Sequence, residues 1–354
     1  MRGGNLLAWL GATVFAALSI TTSTLLAAST THSGGSNVTP RIIGGTEAQP
    51  SEFPFAIYIT VTQNIDSSKT SITRCTGVLV THDAVLTAAH CVYVGDERQR
   101  LVSPNNITIA YGNVAVSKAK TAKAAAVYVP DDYDSATLKH DLAVIRLSQP
   151  LQFTDSVQRI PFSDVILPPK TNVTAMGWGF TKQNTQDSAP DTLMQTYLQI
   201  APDSECKIAQ IYQTQAGPVL CTGNTPSHDT CEGDSGGPLV YKDPKDGQLK
   251  LLGTTSFGQS KGSAPMGLCG LVDMYAFFTR VSYYANFVAV YSGIDEKSLY
   301  LNGEVVAKPP GASNSSAPTA GRDNHAGNGG YKSGYQVAIG GIAVSLASSV
   351  FNFL

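Results

Sequence analysis

The sequence predicts an all-β fold, and three observations predict it. Ten short runs rich in β-branched and aromatic residues recur between residues 55 and 281. Gly, Pro, Asn, Asp and Ser separate these runs, and the chain carries 33 Gly and 19 Pro. Charged residues make up only 14% of the 354, too few for long helices laced with ion pairs. Many short strands with turn signals between them argue for a barrel or a sandwich.

Taken in order, the chain opens with Arg2 and an apolar run over 6–20, followed by small Ala27, Ala28 and Ser29. Residues 1–28 read as a signal peptide. A transmembrane anchor is the alternative, but the run is short and fades into Thr and Ser. Residues 29–41 are polar and loop-like and read as a propeptide that ends at Arg41. The strand runs are 55–61, 76–81, 107–111, 124–129, 142–147, 172–176, 193–198, 238–241, 250–255 and 276–281. Residues 283–291 read as a terminal helix whose aromatic and aliphatic residues would pack one face against the second half of the strands. Beyond Gly293 the pattern degrades, and 294–336 read as a linker or stalk. Residues 308–336 hold Pro, Gly, Ser, Asn and Ala with few large apolar groups and are expected to be disordered. Residues 337–354 are uncharged and apolar. They follow a cluster of small residues at 326–330 and a polar spacer at 331–336, the pattern of a glycosylphosphatidylinositol-anchor signal with Gly327 or Asn328 as attachment site. A tail-anchored span and a core helix are the alternatives for that tail.

A net charge of −2 suggests no nucleic-acid partner. No nucleotide or metal motif stands out. The six cysteines all lie between Cys75 and Cys269, and an even number behind a secretory start implies disulfides. Six cysteines allow fifteen pairings, and the sequence alone chooses none. Asn37, Asn106, Asn172 and Asn314 open N-x-Ser/Thr sequons.

Three blocks carry chemistry. Residues 231–238 read Cys-Glu-Gly-Asp-Ser-Gly-Gly-Pro, residues 87–91 read Thr-Ala-Ala-His-Cys, and residues 140–147 read His-Asp-Leu-Ala-Val-Ile-Arg-Leu. Glycines beside Ser235 let the backbone approach a bound substrate. A serine hydroxyl is a weak nucleophile without a base and a group that orients the base. His90 and Asp141 supply both. Asp134 and His140 compete for the orienting role on residue type alone. Together with Arg41-Ile42-Ile43-Gly44-Gly45, the three blocks in this order resemble the trypsin/chymotrypsin-type serine proteases over residues 42–293.

That resemblance implies two six-stranded antiparallel barrels and a C-terminal helix around a cleft with the triad His90, Asp141 and Ser235. It implies an oxyanion hole from the N–H groups of Gly233 and Ser235. It pairs Cys75 with Cys91, Cys206 with Cys221 and Cys231 with Cys269. Cleavage after Arg41 would free an ammonium on Ile42 that pairs with Asp234. Asp229 would form the base of the primary pocket and select Arg or Lys. Ser256 would bond the catalytic aspartate, and Phe257 and Gly258 would pair with the substrate backbone. Ala276 stands where the family usually has glycine on the pocket wall, and its methyl would narrow the pocket. The link 259–268 is longer than usual. Residues 111–119 hold no carboxylate, so no calcium site is expected there. The expectation is therefore a secreted, cell-surface-anchored, monomeric endopeptidase. Its partners would be Arg/Lys-containing protein or peptide substrates and protease inhibitors, with no cofactor. A protease-fold binding or adhesion module of weak activity is the alternative.

Overall fold

The computed structural model describes residues 44–64, 70–94, 100–181, 189–223, 228–262, 269–271 and 273–301. The expected signal peptide, propeptide, anchor signal, Arg41, Ile42, Asn37 and Asn314 lie outside these residues.

A short β1 (Thr46–Glu47) precedes the first group of strands. They are β2 (Ala56–Asn64), β3 (Thr70–Leu79), β4 (Ala84–Thr87), β5 (Tyr93–Val94), β6 (Arg100–Leu101), β7 (Ile107–Tyr111), β8 (Lys120–Tyr128) and β9 (Ala143–Leu147). Six of these close a barrel in the order β2-β3-β4-β9-β8-β7. The second group is β10 (Asn172–Gly177), β11 (Met194–Ile200), β12 (Val219–Gly223), β13 (Pro238–Lys242), β14 (Leu249–Ser260) and β15 (Met274–Arg280). They run β11-β10-β13-β14-β15-β12, and a β11–β12 pairing closes them into a second barrel, with β1 added outside β11. All the ladders are antiparallel. The all-β, two-barrel expectation stands.

Both barrels close for the same reason: closure removes the unpaired edges of a sheet. Their interiors are apolar. Ile57, Ile59, Leu79, Leu86, Ile107, Ile109 and Ile145 fill the first with almost no exposure, and Leu198, Leu220, Leu239, Leu252 and Phe278 fill the second. The three disulfides are Cys75–Cys91, Cys206–Cys221 and Cys231–Cys269, with Cα–Cα distances of 6.3, 6.0 and 5.4 Å. This is the pairing that the resemblance implied.

The terminal helix forms as a 3-10 turn, Val281–Tyr284, followed by the helix Ala285–Ser292. It packs on the first barrel and not, as expected, on the second: Phe287, Val288 and Ala289 are buried in the first core, and Tyr291 stacks on Tyr128 of β8 at 4.4 Å. Gly293 stops the helix in the left-handed region at φ 72°, where its N–H bonds the carbonyls of Ala289 and Val290. Packing does not stop at Gly293, where the sequence reading ended the folded domain. Ile294 and Leu299 are buried in the first core, Phe162 N–H donates to the Leu299 carbonyl at 2.7 Å, and the turn Glu296–Tyr300 is capped by the Asp295 side chain. Tyr300 adds an edge contact to Phe162 at 6.0 Å, and the Leu301 carbonyl accepts from Arg159.

Candidate functional site

His90 sits on α1 (Ala89–Val92), a single turn that the Cys75–Cys91 bridge ties to β3. Asp141 lies one residue before the strand-leading Leu142, and its side chain is buried. The two meet at two points. Asp141 Oδ2 accepts from His90 Nδ1 at 2.8 Å, and Oδ1 accepts from the His90 backbone N–H at 2.9 Å. Ser256 donates its hydroxyl to Oδ2 at 2.5 Å, and Thr279 donates to the Asp141 carbonyl at 2.7 Å. Ser256 is free to do so because it sits at a register shift in the β14–β15 ladder, between Thr255 and Phe257. A bulge re-aims a side chain that a regular ladder would point elsewhere.

Burial pushes the Asp141 carboxyl upward, yet the charge of His90 and the hydrogen bonds from His90 and Ser256 outweigh it and hold the group below the usual range. Burial likewise pulls the His90 ring down, but the Asp141 charge and hydrogen bond leave it raised. An ionised Asp141 accepts only, so Nδ1 carries the proton and Nε2 presents a lone pair. Asp134, the competing aspartate, bonds Ala136 N–H and the Thr137 hydroxyl on the surface and does not meet His90.

Ser235 is carried to the same place by its backbone. Its carbonyl accepts from Thr76 N–H at 2.9 Å, and Gly236 N–H donates to the Thr255 carbonyl at 2.7 Å. Gly236, at φ 77°, packs so tightly that a Cβ would lie 2.1 Å from Thr87 Oγ1 and 2.6 Å from Ala88 N. The residue after Ser235 therefore rests on the two residues that lead into the His90 helix. The loop also leaves donors unused. The N–H groups of Asp234, Gly236 and Gly237 bond the carbonyls of Cys231, Thr255 and Asp234. Those of Gly233 and Ser235 donate to nothing among the described residues, and Gly233 takes φ 98°.

Asp234 points the other way, fully buried. Its carboxylate accepts from Gly179 N–H and Cys231 N–H, each at 2.8 Å. Burial pushes it up to about 7, with a smaller contribution from the charge of Asp229. No cation lies against it among the described residues. Gly177 and Gly179 make its niche, because a Cβ at either would fall within 2.5 Å of its side chain. Thr76 braces the loop, donating to the Gly233 carbonyl at 2.9 Å while accepting from Trp178 N–H at 3.3 Å. The sequence reading missed Thr76, Gly177 and Gly179; the one local signal is the Gly-Trp-Gly that ends β10.

Asp229 is also buried. Thr230 N–H and Gly270 N–H each donate to it at 2.8 Å, beside the Cys231–Cys269 bridge. Burial pushes it up to about 6, and no cation pairs with it among the described residues. Gly258 and buried Ala276 face each other across the β14–β15 ladder. Beyond Thr255, β14 pairs only with β15 among the described residues, so no described strand covers its other edge over 256–260. Most of the long link 259–268 lies outside the described residues. Asn106 and Asn172 are exposed, as their sequons require.

Comparison with known proteins agrees. A family model described as Trypsin matches residues 42–288. Transmembrane protease serine 11C of Mus musculus is 28% identical over 259 residues, 72% of this chain and 54% of the relative. Transmembrane protease serine 11A of Homo sapiens is 28% identical over 226 residues, 63% of this chain and 50% of the relative. The chain spans about half the length of the curated relatives it matches. Among the described residues no helix is long and apolar enough to cross a membrane. With its double barrel, its three bridges and this match over most of its length, the chain belongs to the trypsin family of serine proteases.

Proposed function

We propose that the protein is a serine endopeptidase that cleaves after Arg or Lys and is made as a zymogen. The observation that carries the reading is the two-point grip of Asp141 on His90 beside a serine whose loop holds two unused N–H groups. His90 Nε2 takes the Ser235 proton as Oγ attacks the carbonyl carbon of the scissile bond. The N–H groups of Gly233 and Ser235 hold the oxygen that becomes negative. The tetrahedral species collapses as His90 gives its proton to the leaving amine. Water, activated by the same imidazole, then releases the acyl group and restores Ser235. The edge of β14 over 256–260 takes the substrate backbone as an added strand. An esterase would share the nucleophile, but it leaves Arg41-Ile42 and the buried Asp229 without a role.

The test is turnover of matched Arg, Lys, Phe and Leu peptide amides by the full chain cut after Arg41. Cleavage after Arg and Lys alone supports the reading. Cleavage after Phe or Leu keeps the protease and discards the pocket. A folded, cut chain that cleaves nothing turns the assignment to a binding module.

The zymogen reading predicts a pH signature. The Asp234 carboxyl is raised from 3.8 to about 7. A group with a raised native pKa contributes stability below its unfolded value, and that stability is lost as pH rises through the native value. Uncut protein is expected to lose on the order of 4 kcal/mol between pH 4 and pH 8 from this group (about 1.4 kcal/mol per pKa unit). Cleavage at Arg41 supplies an ammonium at Ile42 and removes most of the loss. Denaturant melts of cut and uncut protein at pH 5 and pH 8 measure it, and equal pH dependence in both would sink the pairing.

We also infer a place outside the cell, supported by the three bridges and the terminal segments. The tail reading expects release from cell membranes by phosphatidylinositol-specific phospholipase C. Retention would favour a span instead, the arrangement that the relatives' names carry.

A further inference from the structure

We propose that His140, held between Asp132 and Tyr284, is a positioning residue for the Asp141–His90 pair, and that His90 senses its proton. The inference rests on the triad reading above. His140 directly precedes Asp141 and takes φ 59°, a left-handed conformation uncommon outside glycine and one in which histidine is enriched. Its carbonyl accepts from Leu142 N–H at 2.9 Å, which closes a tight turn around Asp141. Its ring is mostly buried, with side-chain exposure of 13%. Nδ1 lies 2.8 Å from the Tyr284 hydroxyl and Nε2 lies 3.1 Å from Asp132 Oδ2. The Tyr284 ring packs edge-on to it at 5.9 Å. A second histidine, bonded on both sides, thus pins the turn that presents Asp141 to the 3-10 turn before the C-terminal helix. A carboxylate that must meet His90 at two points tolerates little rotation of that turn.

The proton enters through the same contacts. Asp132 accepts at Nε2, so the neutral ring keeps its hydrogen there and Nδ1 accepts from the Tyr284 hydroxyl. A second proton turns Nδ1 into a donor, forces the hydroxyl to reverse, and places a positive charge one residue from Asp141. That charge competes with His90 for the field of Asp141. The titratable neighbours are Asp132, Asp134 and Lys139 on the loop, Asp141 and His90 ahead of it, and Tyr283 and Tyr284 on the 3-10 turn. Tyr133 and Tyr93 lie beyond, in edge contact at 5.2 Å. Tyr284 is raised well above its ordinary value by burial, with smaller contributions from the charges of Tyr283, Asp132 and Asp141. Burial holds His140 below the ordinary histidine range despite Asp132, so the ring is neutral where His90 works.

The test follows both rings by NMR titration in the full chain cut after Arg41, with turnover measured in parallel. His90 is expected to show a second, smaller inflection at the pH where His140 titrates, and His140→Asn is expected to abolish it. At pH 8.5, kcat of His140→Ala is expected to fall about 10-fold with KM changed less than about 2-fold. His140→Asn, whose amide can still accept from Tyr284, recovers most of that loss. Tyr284→Phe reproduces it, and Asp132→Asn, on the surface, moves the His140 titration to lower pH. These two variants keep the test open if His140→Ala does not fold. A His90 titration indifferent to His140→Asn, with kcat of His140→Ala or Tyr284→Phe within about 2-fold of the parent, overturns the proposal. The titration needs no turnover, so a chain that cleaves nothing fails the triad reading and still decides this one.

Discussion

Ser235→Ala is expected to lower kcat on an Arg peptide amide by about 10⁶-fold while KM stays within a few-fold. The loss is this large because the hydroxyl is the one atom that becomes bonded to substrate. His90 then has no proton to take, and Asp141 has no imidazolium to stabilise. Removing His90 as well should cost little more, since the two act as a unit. About 10³-fold catalysis over water should survive, from the Gly233 and Ser235 N–H groups, which alanine keeps. Folding is not at risk. The Ser235 carbonyl, not its hydroxyl, is what Thr76 holds, and the tight packing belongs to Gly236. A Ser235→Ala protein with more than about a hundredth of parental kcat would show that another group attacks the carbonyl.

The meeting of His90 with Asp141 and the loop around Ser235 were legible in the sequence because these residues sit in short blocks with their own local grammar. The strands were less so. The pattern named ten of the twelve barrel strands and left out β4 and β12. Both are short and buried along nearly their whole length, Ala84–Thr87 completely so, and a strand covered on both faces shows no alternation. The supports of the site were invisible for another reason. Gly177 and Gly179 are required by a carboxylate 55 residues or more downstream, and Thr76 acts on a loop some 157 residues away. No window of sequence contains such pairs. Asp134 and His140 looked as suitable as Asp141, and only tertiary placement separates them: one is on the surface, one lies behind the acid, and one meets His90. The early end given to the folded domain has the same origin, because Ile294 and Leu299 gain meaning only against the first core.

Asp229→Ser is expected to lower kcat/KM for Arg and Lys amides by about 10⁴-fold and to leave Leu and Phe amides no worse. A carboxylate buried without a cation is costly, and burial has pushed it up to about 6. Two backbone N–H bonds soften the cost but carry no charge. A guanidinium or ammonium delivered by substrate removes it, and a substrate without one leaves it standing, so the discrimination is built into the buried carboxylate. Stability should not fall with the substitution, because a strained charge is lost with it. The pH dependence separates this group from the base. His90 is raised, so kcat/KM for every substrate falls with acid from above pH 6.5, the ordinary histidine value, as the base is protonated. Below about 6, Asp229 is neutral as well, and Arg amides lose their partner while Leu amides lose nothing further. The acid limb for Arg should therefore steepen to two protons where that for Leu keeps one. Ala276 faces Gly258 across the ladder, and on the proposed pocket wall it would add a methyl. Ala276→Gly is expected to shift the Arg/Lys ratio without touching either limb. If the Arg and Leu profiles superimpose, Asp229 is not the base of the pocket, whatever its burial.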